Sequence, residues 1–221
     1  MSSSASEPSA IQPPTIVNGY GWKALAGSAV GYAMDGFDLL ILGFMLGAIR
    51  EDLGLTTAQA GALVTWTLIG AVVGGIVFGA LSDRFGRIRV LTWTIVMFAL
   101  FTGLCAFAQG YWDLLVYRTL AGIGLGGEFG IGMALAAEAW PARYRARVSS
   151  YVALGWQEGV LGAALLTPLL LPYIGWRGMF LVGVIPAFVA WFIRNRLHEP
   201  EVFVRSQEKR LSALQCFKLL V

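Results

Sequence analysis

The sequence predicts an all-α membrane protein with six transmembrane helices. Hydrophobic residues make up 57% of the chain and charged residues only 13%, whereas an ordinary soluble domain averages about 25% charged residues. The apolar residues are also gathered into runs long enough for a helix to cross a bilayer, which takes about 20 residues. Unbroken apolar runs favour helices over the alternating strands of a membrane barrel.

The six predicted spans follow one another with short loops between them. They cover residues 24–48, 60–81, 90–108, 114–139, 148–171 and 176–193. Residues 1–19 are rich in Ser and Pro and are predicted to be a disordered tail. Residues 20–196 are predicted to form the six-helix unit. Residues 197–221 are predicted to begin a cytoplasmic loop, because their closing apolar residues are too few to cross a bilayer.

The distribution of basic residues predicts the orientation. Of the 16 Lys and Arg residues, 13 fall on one side of the predicted membrane, two on the other and one, Arg118, within a span. The positive-inside rule makes the richer side cytoplasmic, so both termini are predicted to be cytoplasmic. The net charge of +3 would suggest a nucleic-acid partner in a soluble chain. In this membrane protein the excess of basic residues is explained by the positive-inside rule. No nucleic-acid partner is predicted.

Glycines recur at four-residue spacing in the second and fourth predicted spans. Small residues at this spacing let helix backbones meet inside a membrane, so they predict close helix packing. The glycines in question are Gly70, Gly74, Gly75 and Gly79 in the second span and Gly122, Gly126 and Gly130 in the fourth.

Five ionisable residues fall inside the predicted spans: Asp35, Asp38, Arg118, Glu128 and Glu158. A charge at the centre of a transmembrane helix costs about 2.5–3.5 kcal/mol, so these side chains must face a cavity or one another. The functional interpretation is favoured over ion pairs that only hold helices together. Counted at 1.5 Å per residue, Asp35 and Glu128 both come to about 20 Å below the outer ends of their spans, and Arg118 lies above Asp38.

This charge pattern favours proton-coupled transport of a small organic anion. Burial favours the neutral form of a carboxyl group, so Asp35, Asp38 and Glu128 are candidates for binding and releasing a proton. Arg118 offers a planar, permanently charged fork to a substrate carboxylate. A sugar carrier is the weaker alternative, because a sugar site needs several amide groups and Gln157 is the one clear amide within the spans.

The fifth span supplies the remaining candidates for substrate binding. Trp156, Gln157 and Glu158 are consecutive and are predicted to border a substrate cavity. For Glu158 the alternative is a substitution that weakens the protein. The sequence shows no catalytic dyad and no cluster of metal ligands, so we expect neither an enzyme nor a bound cofactor or metal.

The segment Gly79–Leu91, GALSDRFGRIRVL, connects the second and third spans. Its spacing G-x-L-x-D-R-x-G-R resembles the loop between the second and third helices of the major facilitator superfamily of secondary transporters. Glu138, Pro141 and Arg145 are similar to the E-x-x-P-x-x-x-R that follows the fourth helix in that family.

Two further motifs resemble a narrower group, the aromatic-acid, sialate and monocarboxylate:proton symporters. The stretch Asp35-Gly36-Phe37-Asp38 is similar to the D-G-x-D of their first helix. Arg118, with the glycines that follow it and Glu128, resembles their fourth helix.

The resemblance implies a proton symporter of the inner membrane that works by alternating access between two six-helix halves. This chain would be the N-terminal half, and its partner a C-terminal half or a second copy. A truncated membrane protein that does not transport is the alternative. The resemblance also implies a cytoplasmic gating cluster made by Asp83, Arg84, Arg87, Glu138 and Arg145.

Overall fold

The computed structural model describes residues 19–194, and all regular structure in that range is helical. The helices are α1 (Gly19–Leu53), α2 (Thr57–Phe85), α3 (Arg87–Cys105), α4 (Tyr111–Glu138) and α5 (Arg145–Arg194), with a short 3-10 helix, Ala142–Tyr144, before α5. Five helices in this range are long and apolar enough to cross a membrane. The prediction of an all-α fold with helices long enough to cross a membrane is therefore confirmed.

The helices continue past the apolar runs that predicted them. The 35 residues of α1 extend over about 52 Å, whereas the hydrocarbon core of a bilayer is about 30 Å thick. An apolar run marks only the part of a helix that lies in hydrocarbon, and backbone hydrogen bonding carries the helix further. The predicted tail 1–19, apart from Gly19, and the predicted loop 197–221 lie outside the described residues.

Short turns join the first three helices. Gly54 and Gly86 have φ angles of 63° and 105°, a backbone conformation that favours glycine over residues with a side chain. Thr56 caps the start of α2, because its hydroxyl accepts a hydrogen bond from the Gln59 N–H at 3.2 Å. The Gln59 side chain accepts one in return from the Thr56 N–H at 2.9 Å. This reciprocal capping box satisfies two backbone donors that a helix start leaves open.

Helix α5 breaks at Gly175, whose φ of 64° and ψ of 178° are not helical. The break divides α5 into two arms, residues 145–174 and 176–194. It falls between the predicted fifth and sixth spans, which end at residue 171 and begin at residue 176.

The two arms of α5 run in opposite directions along α1. Four contacts establish this: Gly155 with Ala29, Gly159 with Ala33, Gly183 with Ile41 and Trp176 with Asp52. Along the first arm, residue numbers increase in the same direction as along α1, so the two run parallel. Along the second arm they increase in the opposite direction, so the two run antiparallel. The chain therefore turns back at Gly175.

The glycines of α2 and α4 explain how closely these two helices approach. A Cβ atom at Gly74 would overlap the carbonyl group of Ile123, and one at Gly126 would overlap that of Ala71. Gly70 and Gly122 lie in the same interface, against the backbone of Thr119 and Thr67. The predicted packing is not seen at Gly79 and Gly130, which have no neighbour within 4 Å and lie beyond the last close backbone contact of α2 with α4, that of Gly75 with Gly126.

The outer surface of the bundle is apolar, as a lipid-facing surface must be. Val72 and Ile76 of α2 are 65% and 71% exposed. Four of the five charged side chains inside the predicted spans, Asp35, Asp38, Arg118 and Glu128, lie instead in the interior between α1 and α4.

Candidate functional site

Four of the five ionisable residues predicted within the membrane are fully enclosed by the bundle. Asp35 and Asp38 of α1 and Arg118 and Glu128 of α4 each have 0% of their surface exposed. Their burial is supplied by this chain alone. Glu158, the fifth residue, is exposed.

Arg118 and Asp38 form a two-pronged ion pair across the α1–α4 interface. Arg118 Nη1 donates to Asp38 Oδ1 at 3.1 Å and Nη2 donates to Oδ2 at 2.7 Å. The guanidinium carbon also lies 5.6 Å from the centre of the Phe180 ring on the second arm of α5. Such parallel bonds are among the stronger interactions available to a carboxylate.

Two hydroxyl groups fix the register of α1 against α4 on the other side of Asp35. Ser28 Oγ donates to the Gly132 carbonyl oxygen at 2.8 Å, and Tyr32 Oη donates to the Phe129 carbonyl oxygen at 2.9 Å. Together with the ion pair between residues 38 and 118, these contacts show that the two helices run antiparallel.

Asp35 and Glu128 therefore belong to one region of the interface. Asp35 lies along α1 between Tyr32 and the ion-paired Asp38, and Glu128 directly precedes the Phe129 carbonyl that Tyr32 contacts. Both carboxyl groups are fully buried, and two negative charges enclosed in one region oppose each other.

A pocket of about 310 Å³ opens beside this region, lined by Tyr32, Phe129, Ala153 and Trp156. The Tyr32 and Phe129 rings are stacked with centroids 4.6 Å apart. The Phe129 and Trp156 rings meet edge to face at 6.1 Å. The pocket thus combines aromatic walls from α1, α4 and the first arm of α5.

Gly36 allows the first arm of α5 to pack beside this pocket. A Cβ atom at this position would lie 2.6 Å from the Trp156 carbonyl oxygen, closer than real contacts permit. The glycine of the D-G-x-D motif therefore has a packing role, whereas its two acids supply the buried charges.

The predicted substrate-binding residues divide into three groups. Trp156 lines the pocket. Gln157 and Glu158, which follow it, are exposed on the surface of the bundle. Arg118 is enclosed and engaged by Asp38. Tyr32 and Phe129 were not predicted, since their meeting depends on the register of two helices far apart in the sequence.

The predicted gating residues meet at one end of the bundle. Arg87, at the start of α3, lies 2.7 Å from Glu138 at the end of α4 and 3.7 Å from Asp83. The charge of Arg145 also acts on Glu138. Arg84 is instead exposed and lies over the ring of its neighbour Phe85, at 5.6 Å.

A second charged cluster, not predicted from the sequence, lies at the opposite end. Arg177 Nη1 donates to Asp52 Oδ2 at 2.5 Å and Nη2 donates to the Ala108 carbonyl oxygen at 3.3 Å. Trp176 Nε1 also donates to Asp52, at 3.1 Å. This cluster ties the end of α1 to the turn at Gly175. Within residues 19–194 no group of three metal-ligating side chains is placed to hold a metal ion.

The apolar exterior, the long helices and the enclosed charges define a multi-pass membrane protein. The chain belongs to the Major Facilitator Superfamily, whose family model matches residues 28–221. The resemblance stated from its motifs is thereby confirmed, and its relatives are transporters rather than enzymes.

Three relatives show how the chain compares with known proteins. It is 75% identical over 211 residues to a Haemophilus influenzae protein named "Putative metabolite transport protein", covering 93% of this chain and 52% of that protein. A "Probable 4-methylmuconolactone transporter" of Cupriavidus pinatubonensis is 41% identical, with 81% of this chain and 43% of that protein covered. For the niacin transporter of Acinetobacter baylyi the values are 35%, 77% and 39%.

Solved structures share the fold. A partially occluded, inward-open structure of the xylose transporter XylE from E. coli superposes with a TM-score of 0.76 at 22% identity, over 89% of this chain and 52% of that protein. The chain spans about half the length of the relatives it matches.

Proposed function

We propose that this chain is the N-terminal half of a proton symporter for a small organic anion, such as a monocarboxylate or an aromatic acid. It crosses the inner membrane six times, with both termini in the cytoplasm. The two opposed arms of α5 supply the fifth and sixth spans. The half-length coverage of its relatives supports a partner, either a C-terminal six-helix half or a second copy.

The observation that carries this proposal is the enclosed ion pair between Arg118 and Asp38. While Asp38 is charged, it occupies one donor on each terminal nitrogen of the guanidinium. A proton on Asp38 removes the counter-charge and releases those donors. The carboxylate of a substrate is then the best available partner for Arg118, since it restores both the charge balance and the bidentate geometry. Proton and anion binding are thereby linked.

The aromatic pocket supports an organic rather than an inorganic anion. Its walls are rings of Tyr32, Phe129 and Trp156, which suit the apolar body of a substrate. Gln157 and Glu158 follow Trp156 on the exposed surface, where they face the second half and complete the binding cavity. The names of relatives that carry 4-methylmuconolactone and niacin point to the same class of substrate.

Alternating access requires that the two ends of the central cavity close in turn. The cluster of Asp83, Arg87, Glu138 and Arg145 is proposed to hold the cytoplasmic end closed in one state, with Arg84 beside it. The ion pairs of Arg87 with Asp83 and Glu138 support this role. The proton is carried by Asp35, Asp38 and Glu128.

Uptake of labelled benzoate and nicotinate into proteoliposomes tests the proposal. The chain is reconstituted alone and as the N-terminal half of the intact carrier, with and without an inward proton gradient. We expect accumulation that a protonophore abolishes. Uptake that ignores the gradient would contradict proton coupling, and absence of uptake by the intact carrier would contradict transport of these acids.

A further inference from the structure

Tyr32 contacts two parts of the site at once. Its ring stacks on Phe129 and forms one wall of the aromatic pocket. Its hydroxyl group donates to the carbonyl oxygen of Phe129, the residue that follows Glu128, at 2.9 Å. Asp35 lies three residues further along α1, on the same helix face. One side chain therefore bridges the pocket and the buried carboxyl groups.

The other charged residues that the structure describes on the helices around Asp35 and Glu128 are either paired with each other or exposed. The nearest charged residues along α1 and α4 are Asp38 and Arg118, which are engaged with each other. On the first arm of α5, Trp156 is uncharged and Glu158 is exposed. The side chains of α2 and α3 nearest to Gly124 and Gly127 of α4 include Phe78, Thr94 and Phe98, which are uncharged.

We propose that Tyr32 is the positioning residue that links occupancy of the aromatic pocket to the protonation of Asp35 and Glu128. A ligand that packs against the ring displaces it, and the hydroxyl moves with the ring. Because that hydroxyl is bonded to the carbonyl group of Phe129, the residue after Glu128, and Tyr32 lies one helix turn from Asp35, movement of the hydroxyl changes the polar environment of both carboxyl groups. The inference rests on the proposed function for its physiological meaning, but the link itself is a property of this chain.

The variant Tyr32→Phe separates the two contacts. It keeps the ring and the pocket wall and removes the hydroxyl. Ser28→Ala is a matched control, because Ser28 makes the same kind of hydroxyl-to-carbonyl bond between α1 and α4 about one turn away. We expect Tyr32→Phe to shift the pH midpoint of uptake by about half a unit or more. Ser28→Ala is expected to leave that midpoint in place.

Infrared difference spectroscopy measures the effect of ligand binding on the buried carboxyl groups without a transport assay. Addition of benzoate to the wild-type chain in membranes should change the absorption of a protonated carboxyl group, and Asp35→Asn should assign that band. In Tyr32→Phe the benzoate-induced change should be lost or strongly reduced, although benzoate still binds. Tyr32→Leu, which also removes the ring, should weaken benzoate binding about tenfold.

The possible outcomes are distinct. If Tyr32→Phe keeps the wild-type pH midpoint and carboxyl band, Tyr32 is only a contact between helices and the inference is wrong. If the carboxyl band responds to benzoate through Tyr32 but no gradient-driven uptake occurs, the proposed function fails while the link stands.

Discussion

Arg118 holds both carboxylate oxygens of Asp38, at 3.1 and 2.7 Å, at a place where neither side chain is exposed. Removing two ions from water costs several kcal/mol for each, which only good geometry and mutual attraction can offset. Loss of one charge from such a pair leaves the other buried without a counter-charge, which is strongly unfavourable. Protonation of Asp38 is a loss of this kind.

Replacing Arg118 with Lys tests the need for a two-pronged cation. An ammonium group keeps the charge but cannot form two parallel bonds to one carboxylate. We expect Arg118→Lys to weaken substrate binding and transport at least tenfold while the protein still folds. Arg177→Lys is the matched control at the exposed pair with Asp52. Unchanged substrate affinity in Arg118→Lys, measured by equilibrium binding, would remove Arg118 from the site.

The stability of the ion pair can be measured with a double-mutant cycle. Arg118→Gln leaves Asp38 buried without its counter-charge and should lower the free energy of unfolding by about 3–5 kcal/mol. Asp38→Asn combined with Arg118→Gln removes both charges and should recover most of this loss. Simple addition of the two single losses, measured by unfolding in mixed detergent micelles, would show that the residues do not interact.

Two glycines one turn apart on α4 give a matched test of helix packing. A Cβ atom at Gly126 would overlap the Ala71 carbonyl group, whereas one at Gly130 meets nothing within 4 Å. Gly126→Ala should therefore force α2 and α4 apart and lower the melting temperature. Gly130→Ala should be neutral or slightly stabilising, because alanine favours a helix by about 1 kcal/mol over glycine. Equal melting temperatures for the two variants would contradict the described interface.

The motifs and composition of the sequence predicted the family, the all-α fold and four of the five charges expected within the membrane. They did so because a charge inside an apolar run has few possible explanations. The ends of the helices were predicted less well, since apolarity marks the hydrocarbon and not the hydrogen-bonded helix. Gly79 and Gly130 show a related limit, because spacing alone does not tell how far along their length two helices stay in close contact.

The pocket could not be predicted for a different reason. Tyr32 and Phe129 are ordinary aromatic residues in apolar runs, and their stacking depends on the register in which α1 packs against α4. That register follows from contacts such as Ser28 to Gly132, which no local pattern encodes. The exposed position of Glu158 likewise depends on the rotation of the first arm of α5.

The two acids near Arg87 should contribute unequally to gating. Glu138 lies 2.7 Å from Arg87 with 26% of its side chain exposed, whereas Asp83 lies 3.7 Å away with 70% exposed. An exposed pair is worth little in water. We therefore expect Glu138→Gln to slow the transport cycle more than Asp83→Asn, with little change of substrate affinity in either. Stopped-flow measurements of turnover and equilibrium binding separate these effects, and a defect confined to affinity would argue against a gate.

The most direct test of the linked binding of proton and anion compares exchange with accumulation in Asp38→Asn. The variant is reconstituted as part of the intact carrier, and labelled benzoate is followed in both modes. Because an amide cannot release a proton, we predict that Asp38→Asn exchanges external for internal benzoate but does not accumulate it under an inward proton gradient. Asp35→Asn is measured beside it as the second proton candidate. Normal gradient-driven accumulation in both variants would contradict the account.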